Sequence, residues 1–72
     1  MPILVAMKLR INGSEAELEG PITLAELLAR HKLKPETVVV EHNLQVPPKA
    51  EYARIQLRDG DRVEIVKFMG GG

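Results

Sequence analysis

Cysteine is absent from this sequence of 72 residues. Without thiol groups the chain can form no disulfide bond, no thiolate zinc site and no iron–sulfur cluster. It also lacks the thiolate nucleophile on which cysteine-dependent enzymes rely. A disulfide-stabilised secreted domain and a cysteine-dependent enzyme are therefore both excluded.

Aromatic residues and net charge are scarce as well. Only Tyr52 and Phe68 are aromatic, whereas 44% of the residues are hydrophobic, so the core must consist mainly of Leu, Ile and Val. Ten basic residues are balanced by ten acidic ones, and we expect no nucleic-acid partner. The apolar start, Pro2–Met7, is too short for a signal peptide or a membrane span. We therefore expect a cytoplasmic protein with no membrane contact.

The length limits the chain to one domain. A chain this short buries only about 60–65% of the surface that its unfolded form exposes, so modest stability is expected. We assign residues 1–69 to the domain. Residues 70–72, Gly70-Gly71-Gly72, form a predicted flexible tail because glycines have no side chains to bury.

A β-hairpin is the clearest local prediction. Every second residue from Ile3 to Ile11 is large and apolar, the period of a strand with one buried face. Asn12-Gly13 follows, and this dipeptide is typical of a two-residue turn in which both positions need positive φ. Such a turn sets basic side chains opposite acidic ones. The predicted pairs are Ile11 with Ser14, Arg10 with Glu15, Leu9 with Ala16, Lys8 with Glu17 and Met7 with Leu18.

A helix is predicted from Thr23 to about Leu33. Thr23 and Glu26 have the spacing of a capping box. Pro35 would prevent the helix from continuing. Leucines at helical spacing form its apolar face: Leu24, Leu27 and Leu28.

Two further strands complete the predicted sheet. Thr37–Glu41 is rich in β-branched residues and is expected to be buried on part of both faces, and Arg62–Phe68 follows the turn Asp59–Asp61. Val46-Pro47-Pro48 marks an irregular stretch between them. The order predicts an α+β fold, with one helix on one face of a mixed sheet of four or five strands. With the first and last strands as parallel neighbours, this is the ubiquitin-like β-grasp.

Motifs in a fixed order cover almost all of the chain from Met7 onward: Met7–Gly13, Thr23–Leu28, Glu41–Asn43, Val46-Pro47, Leu57–Val66 and the final glycines. Together they resemble the ThiS family, the sulfur carriers of thiamine thiazole biosynthesis. The most specific feature is the Asp59-Gly60-Asp61 strand combined with a glycine pair at the end. The family's usual start falls near Met7, so residues 1–6 look like an extension. The tail also has one glycine more than the pattern needs.

The resemblance implies a mechanism carried by the tail. An adenylyltransferase of the ThiF type would use ATP and Mg²⁺ to convert the Gly72 carboxylate into an acyl-adenylate. A cysteine desulfurase or another sulfur donor would then supply the sulfur of a thiocarboxylate, and a thiazole synthase of the ThiG type would consume it. Gly70 and Gly71 would enter the partner's active site, where the lack of Cβ atoms suits a narrow channel. The chain itself would bind no cofactor and would be a monomer when free.

Val66 and Phe68 are predicted to form a docking patch beside the tail. If Val63 and Ile65 face the core, the alternation of a strand places Val66 and Phe68 on the outward side. Exposed apolar residues at such a place indicate a docking surface. The alternative is a bulge that turns Phe68 back into the core.

The remaining polar residues suggest no catalysis. His31 and His42 lie on separate predicted elements with no carboxylate at metal-ligand spacing, so we interpret them as ordinary surface histidines. The sequence contains no recognisable nucleophile–base pair, phosphate-binding loop or metal site. We predict that the chain is not an enzyme.

Two other functions remain open from the sequence. The chain could carry sulfur for molybdopterin or for another thiolation pathway, using the same tail chemistry. It could also be a β-grasp binding module that acts by surface contact alone, in which case its activity would not depend on the last two residues.

Overall fold

The computed structural model describes residues 3–68. Over this range the chain forms four strands and one α-helix: β1 (Val5–Ile11), β2 (Ser14–Gly20), α1 (Leu24–Arg30), β3 (Val38–His42) and β4 (Arg62–Lys67). Two short 3-10 segments, Pro35–Thr37 and Lys49–Arg54, precede β3 and β4. The strands form one mixed sheet in the order β2-β1-β4-β3. The predicted α+β fold with β-grasp topology is confirmed.

The hairpin of β1 and β2 has the predicted register. Ile11 pairs with Ser14, Arg10 with Glu15 and Lys8 with Glu17. Asn12 and Gly13 both have positive φ, 51° and 81°, as a two-residue turn that matches the twist of the strands requires. The Arg10 guanidinium also donates to the Gly13 carbonyl at 3.1 Å, across the turn.

Helix α1 begins with the predicted capping box. The Thr23 hydroxyl accepts from the Glu26 N–H at 3.1 Å, and the Glu26 carboxylate accepts from the Thr23 N–H at 2.8 Å. Each bond satisfies a donor that the first helical turn leaves without a partner.

The predicted helix end near Leu33 is wrong, because α1 ends at Arg30. Lys32 adopts a left-handed conformation with φ of 57°. Its N–H then donates to the Ala29 carbonyl at 3.0 Å, and the Leu33 N–H donates to the Leu28 carbonyl at 2.9 Å. These two bonds form a Schellman motif, which closes a helix by its own backbone. The helix therefore ends well before Pro35.

The core lies between α1 and one face of the sheet. Its buried members are almost all aliphatic, as the composition requires: Met7, Leu9, Ile22, Leu24, Leu27, Leu28, Val38, Val40, Tyr52, Leu57 and Val63. Strand β3 contributes alternate residues, Val38 and Val40, and begins one residue later than predicted because Thr37 completes the preceding 3-10 turn. Strand β4 ends at Lys67, one residue before the predicted end at Phe68.

A short parallel ladder joins β1 to β4. It contains two residue pairs, Arg10 with Arg62 and Ile11 with Val63. The Arg10 N–H donates to the Asp61 carbonyl at 2.9 Å, and the Asn12 N–H donates to the Val63 carbonyl at 2.9 Å. These contacts place the first and last strands of the described chain side by side.

Side chains extend this ladder at both ends. At one end Asp59 Oδ1 accepts from the Lys8 N–H at 2.7 Å, and at the other Asn12 Oδ1 accepts from the Ile65 N–H at 2.7 Å. Each carboxyl or amide oxygen takes the place of a backbone carbonyl where the facing strand is missing. Asn12 therefore has two functions, because it forms the hairpin turn and also binds β4.

Replacing Leu27 with Ala should destabilise the fold without touching the exposed surface. The Leu27 side chain is fully buried, so its truncation removes apolar contacts and leaves a cavity, at a cost of roughly 2–4 kcal/mol in the free energy of unfolding. Denaturant melts measure this change, with Arg30→Ala on the exposed face of α1 as the control. A loss below about 1 kcal/mol for Leu27→Ala would contradict this assignment of the core.

Candidate functional site

The outward face of β4 carries exposed apolar side chains where the strand leads toward the tail. Val66 is 60% exposed and Phe68 is 41% exposed, whereas Val63 is fully buried. The Phe68 N–H donates to the Thr37 carbonyl at 3.2 Å, which continues the pairing of β4 with β3. The predicted alternation is confirmed through Phe68, and the alternative bulge into the core is wrong.

Strand β3 adds a third residue to this surface that the sequence did not indicate. Val39 pairs directly with Val66 across the antiparallel ladder and is 45% exposed. The sequence predicted partial burial of both faces of β3, but only the face with Val38 and Val40 is buried. We name the surface formed by Val39, Val66 and Phe68 the outer patch. Finding Val39 requires the register of β3 against β4, for which the sequence has no local signal.

Acidic residues border the outer patch. The next pair along the same face of the sheet is Glu41 with Glu64. Like charges directly opposite each other across two strands are unfavourable unless a cation lies nearby. The apolar surface therefore has a negative rim.

A polar network occupies the opposite end of β4. His42 Nε2 lies 2.8 Å from Asp61 Oδ2, and Asn43 Nδ2 donates to Asp61 Oδ1 at 3.1 Å. The Arg58 N–H donates to Asp61 Oδ2 at 2.9 Å, and the Arg62 N–H donates to Asn43 Oδ1 at 2.9 Å. The sequence analysis interpreted His42 as an ordinary histidine and indicated no carboxylate near it along the chain. The pairing of β3 with β4 brings Asp61 to it from 19 residues away.

The network lowers the pKa of the Asp61 carboxyl. Partial burial alone would raise this pKa, but hydrogen bonds from His42, Asn43 and the Arg58 N–H favour the carboxylate and outweigh it. The geometry suits a structural role, since the network ties the end of β3 to the turn before β4. Within residues 3–68, no group of three or more His, Asp or Glu side chains could hold a metal ion.

An open groove of about 600 Å³ lies beyond this network. Its lining is mainly apolar: Val46, Pro47, Pro48 and Ile55, with His42, Gln45 and Glu51. Beside it, Asn43 and Leu44 form a two-residue turn with φ of 52° and 70°. Leu44 is 77% exposed there. The groove and the outer patch lie toward opposite ends of the β3–β4 ladder, so they are separate surfaces.

The predicted thiocarboxylate residue, Gly72, and the channel residues Gly70 and Gly71 lie outside the described residues. Their roles remain predictions. In the part of the chain that the structure describes, no helix is long and apolar enough to cross a membrane.

The sheet order, the single described helix and the parallel pairing of β1 with β4 define a ubiquitin-like β-grasp protein. A ubiquitin from Caldiarchaeum subterraneum is similar in structure, with a TM-score of 0.56 and 26% identity, over 94% of this chain and 100% of that one. Within this class the chain belongs to the ThiS family, whose model matches residues 9–72.

Individual relatives agree with this assignment. The sulfur carrier protein ThiS of Bacillus subtilis is 37% identical over 65 residues, which cover 89% of this chain and 98% of that protein. The crystal structure of the thiamine biosynthesis protein ThiS from Geobacter metallireducens has a TM-score of 0.77 and 36% identity, over 92% of this chain and 100% of that one.

Longer relatives contain a similar segment. A thiazole synthase of Paramagnetospirillum magneticum is 44% identical over 66 residues, and one of Magnetococcus marinus is 38% identical over 66 residues. These matches cover 92% of this chain but only 20% of either relative, so the chain spans about a fifth of their length.

Acidification should weaken the fold through Asp61. Because folding lowers its pKa, the ionised carboxylate stabilises the native state above the ordinary value of 3.8. This contribution is lost as the pH falls through the lower folded-state pKa. Urea melts from about pH 6 to about pH 2 should show Asp61→Asn less stable than the wild type at the upper end, with the difference shrinking toward the lower end.

The matched control for that series is Glu36→Gln, which removes an exposed carboxylate far from the network. It should follow the wild type at every pH. A constant difference between the wild type and Asp61→Asn across the whole range would mean that the charge on Asp61 does not contribute.

Proposed function

We propose that the chain carries sulfur for the thiazole ring of thiamine, as a thiocarboxylate on Gly72. The observation that carries this proposal is the family match, which runs through Gly72 and so includes the glycine tail. Glycines have no side chains to bury in a core, whereas a carrier of this family needs small residues at this place. The proposal assigns chemistry to the tail and recognition to the folded part.

The chemistry requires an activating enzyme. A carboxylate resists nucleophilic attack, so one oxygen of the Gly72 carboxylate first attacks the α-phosphorus of ATP and releases pyrophosphate. A sulfur nucleophile at the oxidation level of sulfide then displaces AMP from the acyl carbon. The product is a thiocarboxylate, with no net change in oxidation state. Mg²⁺ and ATP belong to the activating enzyme. A desulfurase supplies the sulfur as a persulfide, and a thiol acts as the two-electron reductant that brings it to the level of sulfide and becomes a disulfide.

The chain's own part in this reaction is presentation and not catalysis. Gly72 is the fourth residue after Phe68, which allows a reach of at most about 14 Å in extended form. An enzyme that holds the outer patch therefore holds the reactive carboxylate close to its own active site. The acidic rim at Glu41 and Glu64 favours a partner surface that is apolar with a basic border.

A thiazole synthase is the proposed consumer of the sulfur. In the two longer relatives, a segment similar to this chain is part of a protein that is itself called thiazole synthase. Joining the two units in one chain raises the effective concentration of one for the other, which favours transfer between them. This supports the thiamine pathway over carriers that serve molybdopterin.

Removing Gly71 and Gly72 should abolish sulfur loading and leave the fold intact. Thermal melts test the fold. Incubation with the adenylyltransferase, ATP, Mg²⁺ and a sulfur source tests the loading, followed by alkylation and fragmentation of the C-terminal peptide. With no cysteine in the chain, the alkylating reagent reports the thiocarboxylate selectively. Fragmentation is needed because oxidation of Met69 adds nearly the same mass.

The position of the sulfur shows which glycine carries the thiocarboxylate. Sulfur on Gly71 in a chain lacking Gly72 would show that the tail is trimmed first. Retained loading by the truncated chain, or no loading of the full chain by its matched enzyme, would contradict the carrier function.

Replacing Phe68 with Ala should weaken binding of the adenylyltransferase about tenfold or more, because Phe68 is the largest side chain of the outer patch. Stability should change little. Calorimetric titration measures the affinity, and Leu44→Ala is the control because Leu44 is also a large apolar residue and is more exposed than Phe68 but lies away from the patch. Equal effects of the two substitutions would contradict docking at this surface.

A further inference from the structure

Strand β4 extends beyond the end of its parallel neighbour. The ladder between β1 and β4 stops at the pair Ile11–Val63, and the chain then turns back into β2 through Asn12-Gly13. Strand β4 continues to Lys67, paired with β3 on its other side only. Its last residues thus have a strand on one side and, within the described chain, none on the other.

The backbone groups along this open side can be identified from the ladder. The Asn43 N–H donates to the Arg62 carbonyl, and the Phe68 N–H donates to the Thr37 carbonyl. Backbone groups of alternate residues in an antiparallel strand point to opposite sides. The even-numbered residues of β4 therefore bond to β3, and the backbone groups of Ile65 and Lys67 point to the side that β1 has left.

One of these groups already has a substitute partner. The Ile65 N–H donates to Asn12 Oδ1 at 2.7 Å. Among residues 3–68, the Ile65 carbonyl and the Lys67 N–H have no hydrogen-bond partner. An acceptor and a donor two residues apart on one strand edge match the groups of a third, extended chain.

The geometry points to this edge as the place where an extended segment of the tail-activating enzyme adds to the sheet as a short strand. The inference rests on the proposed function, since it assumes that an enzyme takes the tail. The edge lies on the same stretch of β4 as the outer patch and ends at Lys67, two residues before Met69, from which the chain continues to the glycines. A segment of the enzyme paired here would bind the backbone of β4, while other parts of the enzyme would contact the side chains of the outer patch.

The two contacts have different consequences for specificity. Side-chain contacts at the outer patch depend on which residues stand there, whereas backbone pairing at the Ile65–Lys67 edge does not. The added strand would also fix the direction of β4 as it leaves the fold. The enzyme could then align the tail with its active site before the glycines are bound.

Replacing Lys67 with Pro tests the pairing. Proline removes the N–H at this position but breaks no bond of the described fold, because that N–H points to the open side. Lys67→Ala is the matched control, since it removes the side chain and keeps the N–H. We expect Lys67→Pro to bind the purified adenylyltransferase roughly tenfold more weakly than Lys67→Ala, the effect of losing one well-formed hydrogen bond and the strand contact around it.

Amide hydrogen exchange of the unmodified chain gives a second measurement that needs no variant. The Lys67 amide should exchange rapidly in the free protein and slowly in the complex with the adenylyltransferase. The Val66 amide faces β3 and is the internal reference, since it should be protected in both states. If Lys67→Pro fails to fold, this measurement alone decides.

The results of these experiments distinguish a failure of the added-strand proposal from a failure of the proposed carrier function. If the wild-type tail is loaded with sulfur while the Lys67 amide still exchanges rapidly in the complex, or while Lys67→Pro binds as well as Lys67→Ala, the added strand is wrong and the carrier function stands. If the adenylyltransferase neither binds nor modifies the wild-type chain, the carrier function and the added strand both fail.

Discussion

The parallel ladder between β1 and β4 holds the two halves of the fold together. On one side of it lies the β1–β2 hairpin, and on the other lies the antiparallel pair of β3 and β4. The ladder contains only two residue pairs, so side-chain oxygens of Asp59 and Asn12 complete it at its ends. Because this overlap is short, β4 extends past β1 and brings Val66 and Phe68 to the margin of the sheet. The placement of the outer patch is thus a consequence of where the ladder stops.

Local signals predicted most of the elements but not the contacts between distant ones. The Asn12-Gly13 turn determines its hairpin register because both strands are adjacent in sequence, and the capping box of Thr23 and Glu26 spans three residues. The contact of His42 with Asp61 and that of Asn12 with Ile65 depend on the register between strands far apart in sequence. The same register exposes Val39 beside Val66. The helix end was missed for a different reason, since Lys32 adopts a left-handed conformation that normally favours glycine.

The two ends of β4 have different physical characters. At the start of the strand, the Asp61 network satisfies backbone N–H groups and ties β3 to the preceding turn, which suits a rigid anchor. At the other end, apolar side chains face outward and one strand edge has no neighbour among residues 3–68, which suits association with another protein. A single strand of six residues therefore joins the stable part of the domain to the part that we assign to recognition.

The central position of β4 also determines how the domain responds to a mechanical load. A pull along the axis of β4 loads a strand that is paired with β3 over most of its length and with β1 at its first residues. The load is therefore parallel to the strand and runs across its interstrand bonds, which are perpendicular to the strand toward β3 and slanted toward β1. Those bonds are sheared together, whereas the bonds of an edge strand pulled sideways would open one at a time. A pull along β4 is therefore resisted by several interstrand bonds at once.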